Sequence, residues 1–193
     1  MPIISKFISR KEYEEAILNF NSKNITVYQN LQWSDIVKDG FLAELIYVCS
    51  VNENNLIVSL TCFTTKKRSL FRLIGSPLRG TFTPHAGPIF KKNLNDEIKI
   101  DIVHSLHKLI NNNFDYIEWG YENFQSLNTI MPILGYKKSL RYTQLIDLSV
   151  GEKLVWASMQ GRARNMIRKA EKLGVCVNSI KPDHRWIERY FEI

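Results

Sequence analysis

Residues 42–65 read LAELIYVCSVNENNLIVSLTCFTT, and the fold turns on how they are read. Two runs rich in Val, Ile, Thr and Phe, Leu42 to Ser50 and Leu56 to Thr65, flank Asn52-Glu53-Asn54-Asn55. Such runs suit the pleated backbone, and Asn tolerates the backbone of a tight turn, so the stretch predicts an antiparallel hairpin. Ser69 to Ile74 is expected to add a strand, reached through a basic turn at Lys66-Lys67-Arg68.

Working outward, Ile3 to Ile8 is short and apolar. Ser9 followed by Glu12 has capping-box spacing and opens a helix expected to reach Phe20, with Tyr13, Ile17 and Phe20 on one face. Ile25 to Tyr28 reads as extended and Leu31 to Lys38 as a short helix. Gly75 to Pro88 is a loop punctuated by Gly and Pro, expected near a cleft. Asp96 to Asn113 is the clearest helix, with Ile98, Ile102, Leu106, Leu109 and Ile110 on its apolar face and acids in its first turn. A strand at Tyr116 to Trp119 and a helix from Phe124 to Leu134 follow. Strands are then expected from Tyr136 to Leu148, a helix from Gly151 to Leu173 with a break at Gly161, a strand at Val175 to Ile180 and a last helix after Pro182. The order predicts a mixed α/β (α+β) fold, a mainly antiparallel sheet flanked by helices. It is compatible with the acyltransferase fold called GNAT.

Hydrophobic residues make up 45% of the 193 and charged residues 23%, the composition of a globular chain rather than a disordered one. The net charge of +7, from 26 basic and 19 acidic residues, favours anionic partners without choosing among them. Cys49, Cys62 and Cys176 have no metal-type spacing and form no disulfide framework. With no apolar leader and no run of 18 apolar residues, the expected location is the cytoplasm, with no transmembrane segment.

The basic charge concentrates in one place. Between Gly161 and Lys172 lie Arg162, Arg164, Arg168, Lys169 and Lys172, against the single acid Glu171. On one continuous helix, Val155, Met159, Met166, Ala170 and Leu173 would form an apolar stripe, with Arg164, Arg168 and Lys172 four apart on the polar side. Such a face is either a solvated surface or a grip for phosphates.

Gly161-Arg162-Ala163-Arg164-Asn165-Met166-Ile167-Arg168-Lys169-Ala170-Glu171-Lys172-Leu173-Gly174-Val175 resembles the helix that opens the second of two GNAT-like domains in the FemAB aminoacyl/acyltransferases. Gln29-Asn30-Leu31-Gln32-Trp33 is similar to an early segment of that family, and so is the loop ending Ala86-Gly87-Pro88. The likeness covers roughly residues 28–177. It implies a first GNAT-like domain over 1–148 and the incomplete start of a second over 149–193, with a missing C-terminal region of the same chain. On that footing the 193 residues alone would be inactive. The implied activity is transfer of an aminoacyl or acyl group onto an amine, on a cell-wall or polysaccharide precursor in some members. The donor would be aminoacyl-tRNA or acyl-CoA, with no tightly bound cofactor. The basic cluster would meet an anionic substrate, tRNA or a phosphate-containing precursor.

The expected substrate-binding residues are Arg162, Arg164, Arg168 and Lys169 on the basic helix, Tyr28, Gln32 and Trp33 lining a pocket, and His85 of the loop as a donor to substrate. No catalytic residue stands out, and His104 and His107, three apart, lack the further ligands a metal needs. A CoA-using GNAT carries a Gln/Arg-x-x-Gly-x-Gly/Ala turn whose backbone N–H groups hold pyrophosphate at a helix N-terminus, and this chain has no such turn. A CoA-dependent N-acyltransferase and a basic nucleic-acid-binding module are the alternatives.

Overall fold

In the computed structural model, residues 2–20, 25–121, 125–142 and 146–177 are described. They fall into two compact units, residues 1–139 and 140–193.

The first unit is built on the expected hairpin. Strand β2 (Glu44–Val51) pairs antiparallel with β3 (Ile57–Arg68), from Glu44 opposite Thr65 to Val51 opposite Ile57. The Asn52 side chain closes the turn by accepting from the N–H groups of Asn54 and Leu56. Strand β1 (Ile4–Ile8) adds to β2 and β4 (Phe71–Ser76) to β3, both antiparallel. A two-residue strand β5 (Ile89–Phe90), which the sequence did not announce, also pairs with β3. Helix α3 (Asp96–Asn111) then crosses over, so that β6 (Tyr116–Trp119) lies parallel to β4. The sheet order is β1-β2-β3-β4-β6, a mainly antiparallel sheet flanked by helices, as expected.

Strand alternation sorts the core onto two faces. Tyr47, Cys49, Val51 and Leu60 pack with Tyr13, Ala16 and Phe20. Val48, Val58, Phe63 and Ile74 pack with Ile102, Leu106 and Ile110 of α3, which are four residues apart and fully buried. Each such side chain contributes about 1.5–3 kcal/mol on burial. Helix α1 (Arg10–Ile17) starts at Ser9 with the expected capping box, the hydroxyl accepting from the Glu12 N–H and the Glu12 carboxylate from that of Ser9. It stops short of Phe20, which is buried all the same.

Several local expectations are corrected. The extended reading of Ile25 to Tyr28 gives way to a single 3-10 turn at Val27–Gln29, because the Gln29 side chain folds back to accept from the Thr26 N–H. Helix α2 (Leu31–Phe41) runs past Lys38 and through Gly40. The basic residues 66–68 lie inside β3 rather than in a turn, and the chain reverses at Ser69-Leu70, with Ser69 at φ 56°. Helix α4 (Gln125–Ile133) carries Pro132 near its end, as expected.

In the second unit the long helix is two, α5 (Glu152–Ser158) and α6 (Gly161–Lys172). Met159 is extended, with ψ 146°, so the break precedes Gly161 and the apolar stripe from Val155 to Leu173 is not continuous. Gly174, at φ 77°, ends α6, and the Val175 N–H reaches back to Ala170 O. Among the described residues, 136–142, 146–148 and 175–177 form no strand. The remaining parts of those expected strands, and the last helix, lie outside the described residues.

Candidate functional site

The site grows from the C-terminal ends of the parallel pair β4 and β6. Ser76 sits opposite Trp119 where β4 stops. Its carbonyl accepts two N–H groups, from Gly87 at 3.1 Å and Gly120 at 3.0 Å, and Ala86 N–H donates to Gly120 O at 2.7 Å. The loop from Pro77 to Pro88 is thereby tied to the ends of both strands. A Cβ on Gly120 would stand 2.7 Å from Pro77 Cδ, so the close approach of loop and strand requires glycine there.

From the other side the segment around the 3-10 turn reaches the same loop. Gln29 Nε2 donates to Ala86 O at 3.0 Å, and Trp33 Nε1 donates to Thr83 Oγ1 at 2.9 Å. Tyr28 stands edge-on to both Trp33 and His85, with ring centroids 5.1 and 5.2 Å away. Between Tyr28, Gln29, Trp33 and Thr83 lies a cavity of about 20 Å³, room for one water-sized group; His85 does not line it. Cys62 and Ser34 form part of its floor. Burial pushes the Cys62 thiol up to about 11, with the Ser34 hydroxyl pulling weakly the other way. At neutral pH it stays a thiol, a poor nucleophile.

The structure thus brings together Tyr28, Trp33 and His85. Gln32 is exposed on α2 and does not line the cavity; Gln29 does. Gln29 was legible as the third residue after Thr26, a capping-box spacing. Thr83 had no sequence signal, because only the tertiary fold brings it to the indole. Arg162, Arg164, Arg168 and Lys169 lie on α6 in the second unit. There Arg164 Nη1 donates to the carbonyls of Ala157 and Trp156 at 3.0 and 3.4 Å, capping α5. The Arg168 guanidinium sits over the Trp156 ring, 5.5 Å from its centroid. Two of the four expected phosphate-gripping groups therefore help to tie α5 to α6.

A larger cleft, about 190 Å³, opens near the other end of β6, lined by His107, Asn111, Asp115 and Tyr136 among others. His107 Nδ1 and the Tyr136 hydroxyl are 2.8 Å apart. Burial, and then the neighbouring His104, hold the imidazole below its usual range. Among the described residues no group of His, Cys, Asp and Glu could hold a metal ion.

Acyl-CoA can be tested against these residues. Its pyrophosphate needs free N–H groups at the helix that follows β4. At α3 the Asn95 side chain already takes the Ile98 N–H, and Asp96 and Glu97 fill the first turn. Glu97, with Asp96 already paired to Lys99 at 3.0 Å, leaves no surplus positive charge there for a polyanion. The described residues do not fit CoA at that position.

No family model matches the chain, and no curated protein matches it. Among solved structures, it is similar to aminoglycoside antibiotic 6'-N-acetyltransferase AAC(6')-Ih from Acinetobacter baumannii, at 8% identity and TM-score 0.41, over 75% of this chain and 97% of that one. A complex of AAC(6')-Iy with the bisubstrate analogue CoA-S-monomethyl-acetylneamine gives the same identity, coverage and score. Likeness at that level carries no function across, and the FemAB resemblance rests on the quoted residues alone.

Proposed function

We propose that this chain serves N-acyl transfer, moving an acyl or aminoacyl group onto an amine, with a cell-wall or polysaccharide precursor as the acceptor. One observation carries the reading: the ends of a parallel strand pair are covered by a loop held through the side-chain N–H groups of Gln29 and Trp33. A 20 Å³ cavity admits no acyl group, so the 77–88 loop lifts for substrate to enter. Lifting frees two N–H donors, and an acyl carbonyl oxygen is the acceptor they suit. The amine nitrogen attacks the carbonyl carbon, the leaving group departs with the bonding pair, and the nitrogen loses a proton. His85 is carried on that loop and, as the loop settles over bound substrate, is the imidazole at hand to take that proton. Catalysis then rests on positioning and on charge stabilisation, without a covalent intermediate.

The donor separates two versions. Aminoacyl-tRNA accords with the FemAB resemblance and with the misfit of pyrophosphate at α3. Acyl-CoA is the rival. The deciding assay offers radiolabelled aminoacyl-tRNA and acetyl-CoA in turn, with an amine-bearing precursor, to a polypeptide carrying this chain and any domain that follows it. Transfer from the tRNA, reduced about tenfold or more in Trp33→Phe and His85→Ala, is expected. Transfer from acetyl-CoA alone selects the rival, and none from either ends the acyl-transfer reading.

A further inference from the structure

The sheet has a second end, where β2 and β4 begin and β3 stops. There the β3–β4 hairpin outruns its neighbours. The pairing of β2 with β3 stops at Glu44 opposite Thr65, and that of β4 with β6 starts at Leu73 opposite Tyr116. Residues 66–72 therefore form a two-stranded ribbon that projects beyond the sheet, with Lys67 opposite Arg72 and Arg68 opposite Phe71. Every residue from Lys66 to Arg72 is exposed.

The order of side chains along the ribbon is specific. At its tip Leu70 is 87% and Phe71 65% exposed. Arg68 stands level with Phe71 and Lys67, Arg72 and Lys66 behind it, with no acid in the ribbon. At its base Glu44 lies opposite Thr65, and Asp115 accepts from the Arg72 N–H at 2.7 Å and lies 3.9 Å from its Nε. Lys66 Nζ donates to Phe41 O, which brings the end of α2 to the ribbon's base, where Leu42 is 88% exposed.

We propose that this ribbon is a membrane-surface anchor, which inserts Leu70 and Phe71 into the headgroup boundary of an anionic bilayer. A strand rises about 3.3 Å per residue, so the cations, from level with Phe71 to two residues back, meet lipid phosphates when the apolar tip enters the headgroup boundary. Other occupants suit the ribbon less. A second copy of the chain would set four cations against four. Nucleic acid would engage the cations but leave Leu70, which has no π face, without a stacking role. The inference is independent of acyl transfer.

The test is sedimentation of the full chain with phosphatidylcholine vesicles, with and without phosphatidylglycerol. Binding only to the anionic vesicles is expected, weakened by salt and lost in the double variant Leu70→Ser/Phe71→Ser with circular dichroism unchanged. Lys67→Gln and Arg68→Gln should each weaken it about fivefold at low salt. A Leu70→Trp variant should add blue-shifted emission on anionic vesicles. The proposal is overturned by absence of binding, by binding that survives the double variant, or by vesicle binding lost instead on substituting Arg162 and Lys169. Ribbon-dependent binding to tRNA without binding to vesicles overturns it as well.

Discussion

The 77–88 loop and helix α6 were both candidate binding regions, and the structure treats them in opposite ways. The loop has few charges and is pinned from two directions, by backbone bonds to Ser76 and Gly120 and by side chains of Gln29 and Trp33. Helix α6 is densely charged, has no fully buried residue, and spends Arg164 and Arg168 on local contacts within its unit. Charge density marks a helix that water can solvate. A dense set of hydrogen bonds around a small cavity marks backbone held in one shape until substrate lifts the loop.

That contrast breaks first at Gly75. A Cβ there would meet Leu78 Cα and Pro77 O at 2.7 Å, backbone atoms that cannot turn aside. Gly75→Ala is expected to cost about 3 kcal/mol in urea unfolding and to loosen the loop. A cost under about 1 kcal/mol would mean that the loop is less tightly fixed than α6. Trp33→Phe removes the N–H that holds Thr83 and also replaces the indole by a smaller phenyl ring. A loss of about 1 kcal/mol is expected, with faster amide exchange confined to the loop.

His107 tests whether the cleft near the start of β6 is as firmly built. Its folded pKa lies below the unfolded value, so the unfolded chain binds the proton more readily. The penalty is absent well above the ordinary histidine range and grows as pH falls through it toward the folded pKa. His104, on the same helix, and Tyr136 are the titratable groups found acting on it. The unfolding midpoint should fall between pH 7.5 and 5.5, and less steeply in His107→Gln; equal slopes would remove the effect. The smallest change is expected on α6: Arg162→Ala should leave stability within about 0.5 kcal/mol. Arg164→Ala should cost slightly more, because it uncaps α5. A larger loss at Arg162 would mean that the helix face is packed rather than solvated.

The sequence made the hairpin, the Ser9 cap and the α3 stripe legible, since each is written in neighbours a few residues apart. It misassigned residues 66–68 to a turn, because Lys and Arg are turn-compatible and nothing local reveals that β4 continues the pairing. It chose Gln32, the neighbour of Trp33 in sequence, over Gln29, because only the 3-10 turn selects the one that faces Ala86. Tyr28, Trp33 and His85 were singled out by residue type; that they stand together depends on packing across more than fifty residues of chain.

Alternation at period two and apolar spacing at three and four residues were enough to determine a mixed α/β chain with a mainly antiparallel sheet, since burying those faces leaves few layer arrangements. Composition determined the surplus of positive charge. The parallel pairing of β4 with β6, the closing of the loop over their ends and the projection of residues 66–72 beyond the sheet were decided by the tertiary structure alone. Each depends on which strand ends first in space, and that follows from register across the sheet, which local sequence does not encode.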